Sequence, residues 1–216
     1  MRELRRRLAQ LYGGSPLDRV YTSLKMSIIP FEQFSRYLPK DGAILEVGCG
    51  YGYVSNYLSL ENTDRSVVGV DVAEDRVGVA QQTIGNRRNV EFLAKDCRDI
   101  PKDGFDAVVI ADVLHHVPYP EQTKILADVY EKLKFEGVLI MRETDKKIRL
   151  RYFLFNYLLE WALYLHTEKL NFRTAGEWKE ILESVGFEVR DVIPNPLFFP
   201  YITVLFVCAK RGKAEG

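Results

Sequence analysis

The chain has 216 residues, 47% hydrophobic and 28% charged, which fits one globular domain with a full core and excludes a disordered or fibrous class. Lysine plus arginine and aspartate plus glutamate each number 30, for zero formal net charge, so the basic surplus of a sequence-independent nucleic-acid binder is missing, although a local patch is not excluded. Cys49, Cys97 and Cys208 lie far apart without metal-ligand spacing, Met1 to Arg7 lacks the apolar core of a signal peptide, and no run reaches the roughly 20 apolar residues of a membrane span; the expectation is a single domain over 1–216, reduced, cytoplasmic and without a metal.

In chain order, residues 2–12 read as a short basic helix that Gly13-Gly14-Ser15-Pro16 breaks. Helical pieces over 17–25 and 31–38 follow, punctuated by Pro30 and Pro39, so residues 1–40 form a helical cap. Strands are expected at 43–47, 67–71, 90–94, 106–111 and 137–142. Helices are expected between them at about 53–60, 74–85 and 120–134, the last spaced by Ile125, Leu126, Val129, Tyr130 and Leu133. This alternation predicts an α/β fold of three layers, a parallel sheet with helices on both faces. Residues 175–185 form another helix, with Thr174 as N-cap and Gly186 at its end. Strands at 187–193 and 201–209 follow, joined through Pro194, Pro196 and Pro200.

Thr144 to Phe172 interrupts the rhythm. Its centre, Arg151 to Leu165, is apolar nearly all round except for Asn156 and Glu160 at i, i+4. Two readings stay open. One is a core or homodimer helix. The other is a helical lid over the C-terminal edge of the sheet, walling an apolar acceptor pocket.

The most informative segment is Ile44-Leu45-Glu46-Val47-Gly48-Cys49-Gly50-Tyr51-Gly52. An apolar strand runs through an acid into a glycine turn and then a helix start, a cradle for a nucleotide or nucleoside. The dinucleotide fingerprint Gly-x-Gly-x-x-Gly does not fit, because the third glycine is one position early and Tyr53 stands where it belongs. Ser66 to Asp71 is a second apolar run ending in an acid, near the roughly 20-residue offset of a ribose-binding carboxylate.

Together these segments resemble class I S-adenosylmethionine (SAM) dependent methyltransferases of the small-molecule type. ILEVGCGYG is similar to the family's first motif and VVGVDVAEDRV to its second strand and acidic tip. Val90 to Cys97 is similar to its third strand, and Phe105 to Val117 (FDAVVIADVLHHV) to its fourth strand and the turn over the active site. The resemblance covers residues 40–145 and, less closely, 174–210. It implies a Rossmann-like sheet of seven strands, mostly parallel with an antiparallel last strand. It also implies SAM as cofactor, S-adenosyl-L-homocysteine as product, and site roles. Backbone groups of Gly48, Cys49 and Gly50 meet the methionine end. Glu46 steadies the turn or reaches the amino group, Asp71 takes the ribose hydroxyls and Val72 lies against the adenine. Asp96 accepts from the adenine amine while the Cys97 N–H donates to a ring nitrogen, and Ala111 or Asp112 lies near the methyl.

Methyl transfer from a sulfonium needs positioning and desolvation, plus a base for some oxygen or carbon acceptors. His116 and Glu143 are the candidate catalytic bases, with His115 behind them; an architectural role for the histidines stays open. His166 reads as structural. Tyr12 and Tyr21 either line the site or pack in the core. Arg2, Arg5, Arg6 and Arg7, with Lys146, Lys147, Arg149 and Arg151, are either solvated faces or a rim that meets an anionic head group or membrane. The function expected is methylation of a small, apolar or lipid-like acceptor. Alternatives are protein or RNA methylation, a nicotinamide oxidoreductase, and a catalytically silent SAM-binding regulatory module.

Overall fold

Seven strands make one sheet: β1 (Gly42–Val47), β2 (Arg65–Asp71), β3 (Val90–Ala94), β4 (Phe105–Ala111), β5 (Leu133–Thr144), β6 (Phe187–Pro194) and β7 (Thr203–Lys210). Their spatial order is β3-β2-β1-β4-β5-β7-β6. The first five pair in parallel, and β7 runs antiparallel to both β5 and β6, so six strands share one direction. The computed structural model describes residues 2–13, 22–23, 25–27, 29–101, 104–146, 170–194 and 203–211. The helices are α1 (Arg2–Gln10), α2 (Phe31–Tyr37), α3 (Tyr53–Glu61), α4 (Glu74–Gln82), α5 (Tyr119–Lys132) and α6 (Ala175–Val185).

Alternation along the strands creates two cores, one per face. Ile44, Val67, Phe92, Val109, Ile140, Leu205 and Val207 pack with Leu8, Phe31, Phe34, Tyr57 and Val77 of α1 to α4. Their neighbours Leu45, Val47, Val108, Ile110, Leu139, Met141, Phe206 and Cys208 pack with Leu126, Val129, Trp178 and Leu182 of α5 and α6. Central strands buried on both faces are therefore apolar at nearly every position.

Helix α3 is buried from Tyr53 to Ser59, so its polar side chains need protein partners. Asn56 Nδ2 donates to Tyr12 Oη (2.8 Å) and Thr83 Oγ1 (2.7 Å), and Arg87 Nη2 donates to Asn56 Oδ1 (2.6 Å). Tyr12 Oη in turn donates to the Tyr51 carbonyl at 3.0 Å, tying the N-terminal segment to the glycine turn. Tyr12 is thus a core residue. The N-terminal basic cluster is partly internal. Arg5 forks onto Glu32 at 2.8 and 2.6 Å and caps the Met26 carbonyl, while Arg6 pairs with Glu3.

Thr174 and Gly186 do what their residue types suggest. Thr174 and Glu177 form a capping box, and Gly186 ends α6 at φ 116°. The end of α5 differs from expectation. The helix stops at Lys132, and Leu133 begins β5 opposite Phe105. The next matched pair is Ala107 with Val138, so residues 134–137 bulge outward, with Glu136 at φ 60°. Burial explains the early stop: Leu133 is fully buried in the second core, and the buried Lys132 ammonium needs the Ile100 carbonyl at 2.7 Å and Asp128 at 3.0 Å.

Of the piece expected over 17–25, Thr22, Ser23 and Lys25 are described, and all are helical. The lid expected over 144–172 falls mostly outside the described residues, as do Tyr21, Lys147, Arg149, Arg151 and His166. Among the described residues no helix is long and apolar enough to cross a membrane.

Candidate active site

Strand β1 has β2 and β3 on one flank and β4 and β5 on the other. The connections reverse direction there, and the C-terminal ends of β1 and β4 border the crevice that receives ligands in open α/β sheets.

The glycine turn fills the end of β1. The N–H groups of Gly48 and Cys49 both donate to the Val70 carbonyl, at 2.8 and 3.0 Å. Gly48 has φ 72°, and a Cβ there would lie 2.3 Å from Val113 Cγ2, so only glycine lets the turn after β4 close against the turn after β1. Gly50 is different. At φ 50°, its nearest neighbour to an added Cβ is Asp71 Oδ2 at 3.9 Å, so one face of the turn is open.

Asp71 braces this turn. Its Oδ2 accepts from the Gly50 N–H at 2.8 Å and its Oδ1 from the Ala73 N–H at 2.9 Å. Each oxygen keeps a second lone pair, enough for a diol. Beside it Val72 is 72% exposed, an unusually bare branched side chain for this protein. Glu46 is buried below the turn. Its Oε2 accepts from the N–H (2.8 Å) and hydroxyl of Ser55, in the first turn of α3. Burial pushes its carboxyl up to about 7 against those hydrogen bonds, with the Asp71 charge adding to the rise.

The tip of β3 joins the same edge, where the Lys95 N–H donates to the Asp71 carbonyl at 3.0 Å. Asp96 caps a 3₁₀ turn, Cys97–Asp99, by accepting from the Arg98 N–H. Arg98 also grips both Asp96 oxygens, at 2.9 and 2.6 Å, and holds the carboxyl down near 2. Asp96 is therefore an acceptor throughout the working pH range. Cys97 opens the turn, so its N–H has no acceptor within it. The Cys97 thiol is buried and pushed up to about 12.

Beyond Ala111, the last residue of β4, Asp112 adopts φ 58°, a left-handed conformation that non-glycine residues seldom take. Its carboxylate stands 3.2 Å from Arg142 Nη1 of β5. The histidines follow in a second 3₁₀ turn, Leu114–His116. Glu143 is buried and meets three donors or donor-capable groups. Oε1 accepts from the N–H groups of Val113 (3.1 Å) and Leu114 (2.6 Å), and Oε2 lies 2.7 Å from His115 Nδ1. His115 stacks on Phe172, with ring centroids 5.1 Å apart. Desolvation, helped by His115, Arg76 and Lys25, pushes His116 down to about 3, so its imidazole is neutral and a weak proton acceptor near pH 7.

The structure thus gathers Glu46, Gly48, Cys49, Gly50, Asp71 and Val72 around one turn. It sets Asp96 and Cys97 beside them and brings Ala111 and Asp112 in through the Val113–Gly48 contact. It separates the two base candidates: Glu143 pairs with His115, not His116. Sequence reasoning missed Ser55, Arg98, Val113 and Arg142. Arg142 had a visible signal, as a lone cation ending the apolar run Val138 to Met141.

Comparisons with known proteins agree with this geometry. The profile of a family described as a methyltransferase domain matches residues 26–192. The provisionally named methyltransferase YqeM of Bacillus subtilis is 35% identical over 129 residues, 56% of this chain and 51% of that protein. Sphingolipid C9-methyltransferase B of Emericella nidulans is 27% identical over 164 residues, 71% of this chain and 31% of that protein. The chain therefore spans about half or less of these curated relatives. Among solved structures, magnesium protoporphyrin IX methyltransferase from Synechocystis PCC 6803, with bound S-adenosylhomocysteine, superposes at TM-score 0.66 and 20% identity, covering 94% of this chain and 93% of that one. With the family profile matching most of its length, the glycine turn at the end of β1 and the acidic tip of β2, the chain belongs to the class I SAM-dependent methyltransferases.

Proposed function

We propose that this chain binds SAM across the ends of β1 to β4 and transfers its methyl group to a small, apolar or lipid-like acceptor. The observation that carries the cofactor half is the braced turn, with Asp71 locking the Gly50 N–H while the Gly50 face stays open. The residues present fit the group. Gly48, Cys49 and Gly50 offer backbone to the methionine end, and Glu46 steadies that turn from below through Ser55. Asp71 offers lone pairs to the ribose hydroxyls, Val72 a bare apolar surface to the adenine, and Asp96 with the Cys97 N–H an acceptor and a donor to its edge. Bound SAM supplies an electrophilic methyl on a sulfonium. The chain's own work is to orient that methyl and keep water from it. The acceptor half is supported by relatives whose names carry a sphingolipid and a magnesium protoporphyrin, and by the apolar stretch Arg151 to Leu165.

Two measurements test the proposal. Calorimetric titration with S-adenosylhomocysteine and with nicotinamide dinucleotide decides the cofactor. Binding of the second and not the first overturns it. Incubation with methyl-labelled SAM and fractionated cell extract, read by mass spectrometry, decides the acceptor. Label in the organic-soluble fraction supports the lipid-like reading, and label only in protein or RNA overturns it. Tight S-adenosylhomocysteine binding with no labelled product identifies a silent regulatory module.

A further inference from the structure

Asp112 and Arg142 sit at the tips of adjacent strands, paired through the sheet: the Asp112 N–H donates to the Arg142 carbonyl at 2.9 Å. Their side chains are less well matched. Arginine and carboxylate ordinarily form a two-pronged contact at 2.7–2.9 Å. Here one guanidinium nitrogen lies 3.2 Å from one oxygen. Among the described residues, neither Asp112 Oδ1 nor Arg142 Nη1 has a hydrogen-bond partner, though both atoms are shielded from solvent. Thr203 Oγ1 takes Arg142 Nε at 3.1 Å, and so fixes the guanidinium from β7. The Arg142 side chain is only 3% exposed, whereas the Asp112 side chain keeps 35% of its surface. The pair is thus anchored on the arginine side and open on the aspartate side.

A second observation points the same way. Asp112 holds a left-handed backbone at φ 58°, a conformation uncommon outside glycine that aspartate and asparagine adopt more readily than other residues. The residue it precedes, Val113, closes on Gly48. The carboxylate therefore stands next to the turn assigned above to the methionine end of SAM.

We propose that Asp112 and Arg142 hold a neutral hydroxyl of the methyl acceptor, the hydroxyl donating to the Asp112 carboxylate and accepting from Arg142, with Asp112 taking its proton during transfer. This deepens the methyltransferase reading and rests on it. The charge of the pair selects the group. An anionic acceptor atom is repelled by Asp112, and an ammonium by Arg142. A neutral hydroxyl, with one donor and two lone pairs, satisfies both. As the acceptor oxygen bonds to the methyl carbon, the carbon–sulfur bond breaks and its electron pair remains on sulfur. The sulfonium becomes a neutral thioether, the oxygen becomes an ether, and the hydroxyl proton passes to Asp112. Burial raises the Asp112 carboxyl and Arg142 opposes the rise; Glu143, His115 and Lys25 are the other charged or titratable groups acting on it.

The test uses the full chain, labelled SAM and the organic-soluble extract. S-adenosylhomocysteine affinity is measured first, by calorimetry, for the wild type, Asp112→Asn and Arg142→Met. Asparagine tolerates the left-handed backbone, so Asp112→Asn is expected to fold and to bind S-adenosylhomocysteine within about threefold of wild type. Its transfer rate is expected to fall about 10²-fold or more, the usual range for loss of a general base. The acid limb of the wild-type pH–rate profile disappears in Asp112→Asn. In Arg142→Met it moves to higher pH, because the cation that holds the carboxyl down is gone. The labelled product is an ether, stable to alkali. An N-, C- or S-methyl product, an alkali-labile ester, or full activity in Asp112→Asn overturns the inference and leaves the methyltransferase reading intact. Failure of the wild type to bind S-adenosylhomocysteine overturns both.

Discussion

Replacing Glu46 by glutamine separates a buried ionisation from every other pH effect in the protein. The Glu46 carboxyl moves from 4.5 to about 7 on folding, with burial as the main cause. The native state then holds a proton that the unfolded chain has already lost between those values. Stability falls as pH rises through this window, and the penalty is fully present only above about 7. The full shift corresponds to about 3 kcal/mol. Between pH 5 and pH 8 linkage gives about 2.5 kcal/mol of it. Urea denaturation of the wild type and Glu46→Gln, at both pH values, yields the quantity as a double difference in which all other groups cancel. The wild type is expected to lose about 2.5 kcal/mol relative to the variant on going from pH 5 to pH 8. The same two Ser55 donors remain available to the glutamine carbonyl oxygen, so the variant is expected to fold. A double difference under about 0.5 kcal/mol would refute the reasoning, because it would mean that Glu46 titrates in the native protein as it does in water.

Four further outcomes are expected. Gly48→Ala forces a Cβ to 2.3 Å from Val113 in a left-handed backbone and should cost about 2–5 kcal/mol in urea denaturation. Gly50→Ala meets no close atom and should cost only about 1–2 kcal/mol, yet lower S-adenosylhomocysteine affinity by filling the open face; normal binding by Gly50→Ala would count against the cradle. Asp71→Ala removes the acceptor for the Gly50 and Ala73 N–H groups and should weaken S-adenosylhomocysteine binding tenfold or more, about 1.4 kcal/mol; calorimetry giving an unchanged affinity would remove Asp71 from the site. Glu143→Gln keeps an oxygen for the Val113 and Leu114 N–H groups, so transfer should survive if Glu143 positions the turn through His115, whereas abolished transfer in a fully folded variant would restore it as the base.

The elements were legible because their causes are local. Continuous apolar runs along β1, β4 and β5, and a spacing of three to four along α5, follow from which side chains face a core. The Thr174 cap and the Gly186 stop depend on residues within one turn of the helix. The end of α5 was misread for the same reason: Leu133 continues a helical spacing, and only the distant partners Phe105 and Ile100 show why the chain turns to strand at that point.

The site divides along the same line. The acids at the tips of β1 and β2 and the glycines between strand and helix are read from one segment each, because a strand tip and a tight turn constrain the residues within them. Pairing of side chains across strand ends is different in kind. Glu143 meets His115 rather than His116, Arg98 occupies the Asp96 carboxylate, and Arg142 stands over Asp112. Sequence alone determined the layered sheet, the glycine turn and the acids beside it. The tertiary structure alone decided which charges face one another, because residues far apart in the chain become neighbours only when parallel strands come into register, and burial then sets what each ionisable group can do.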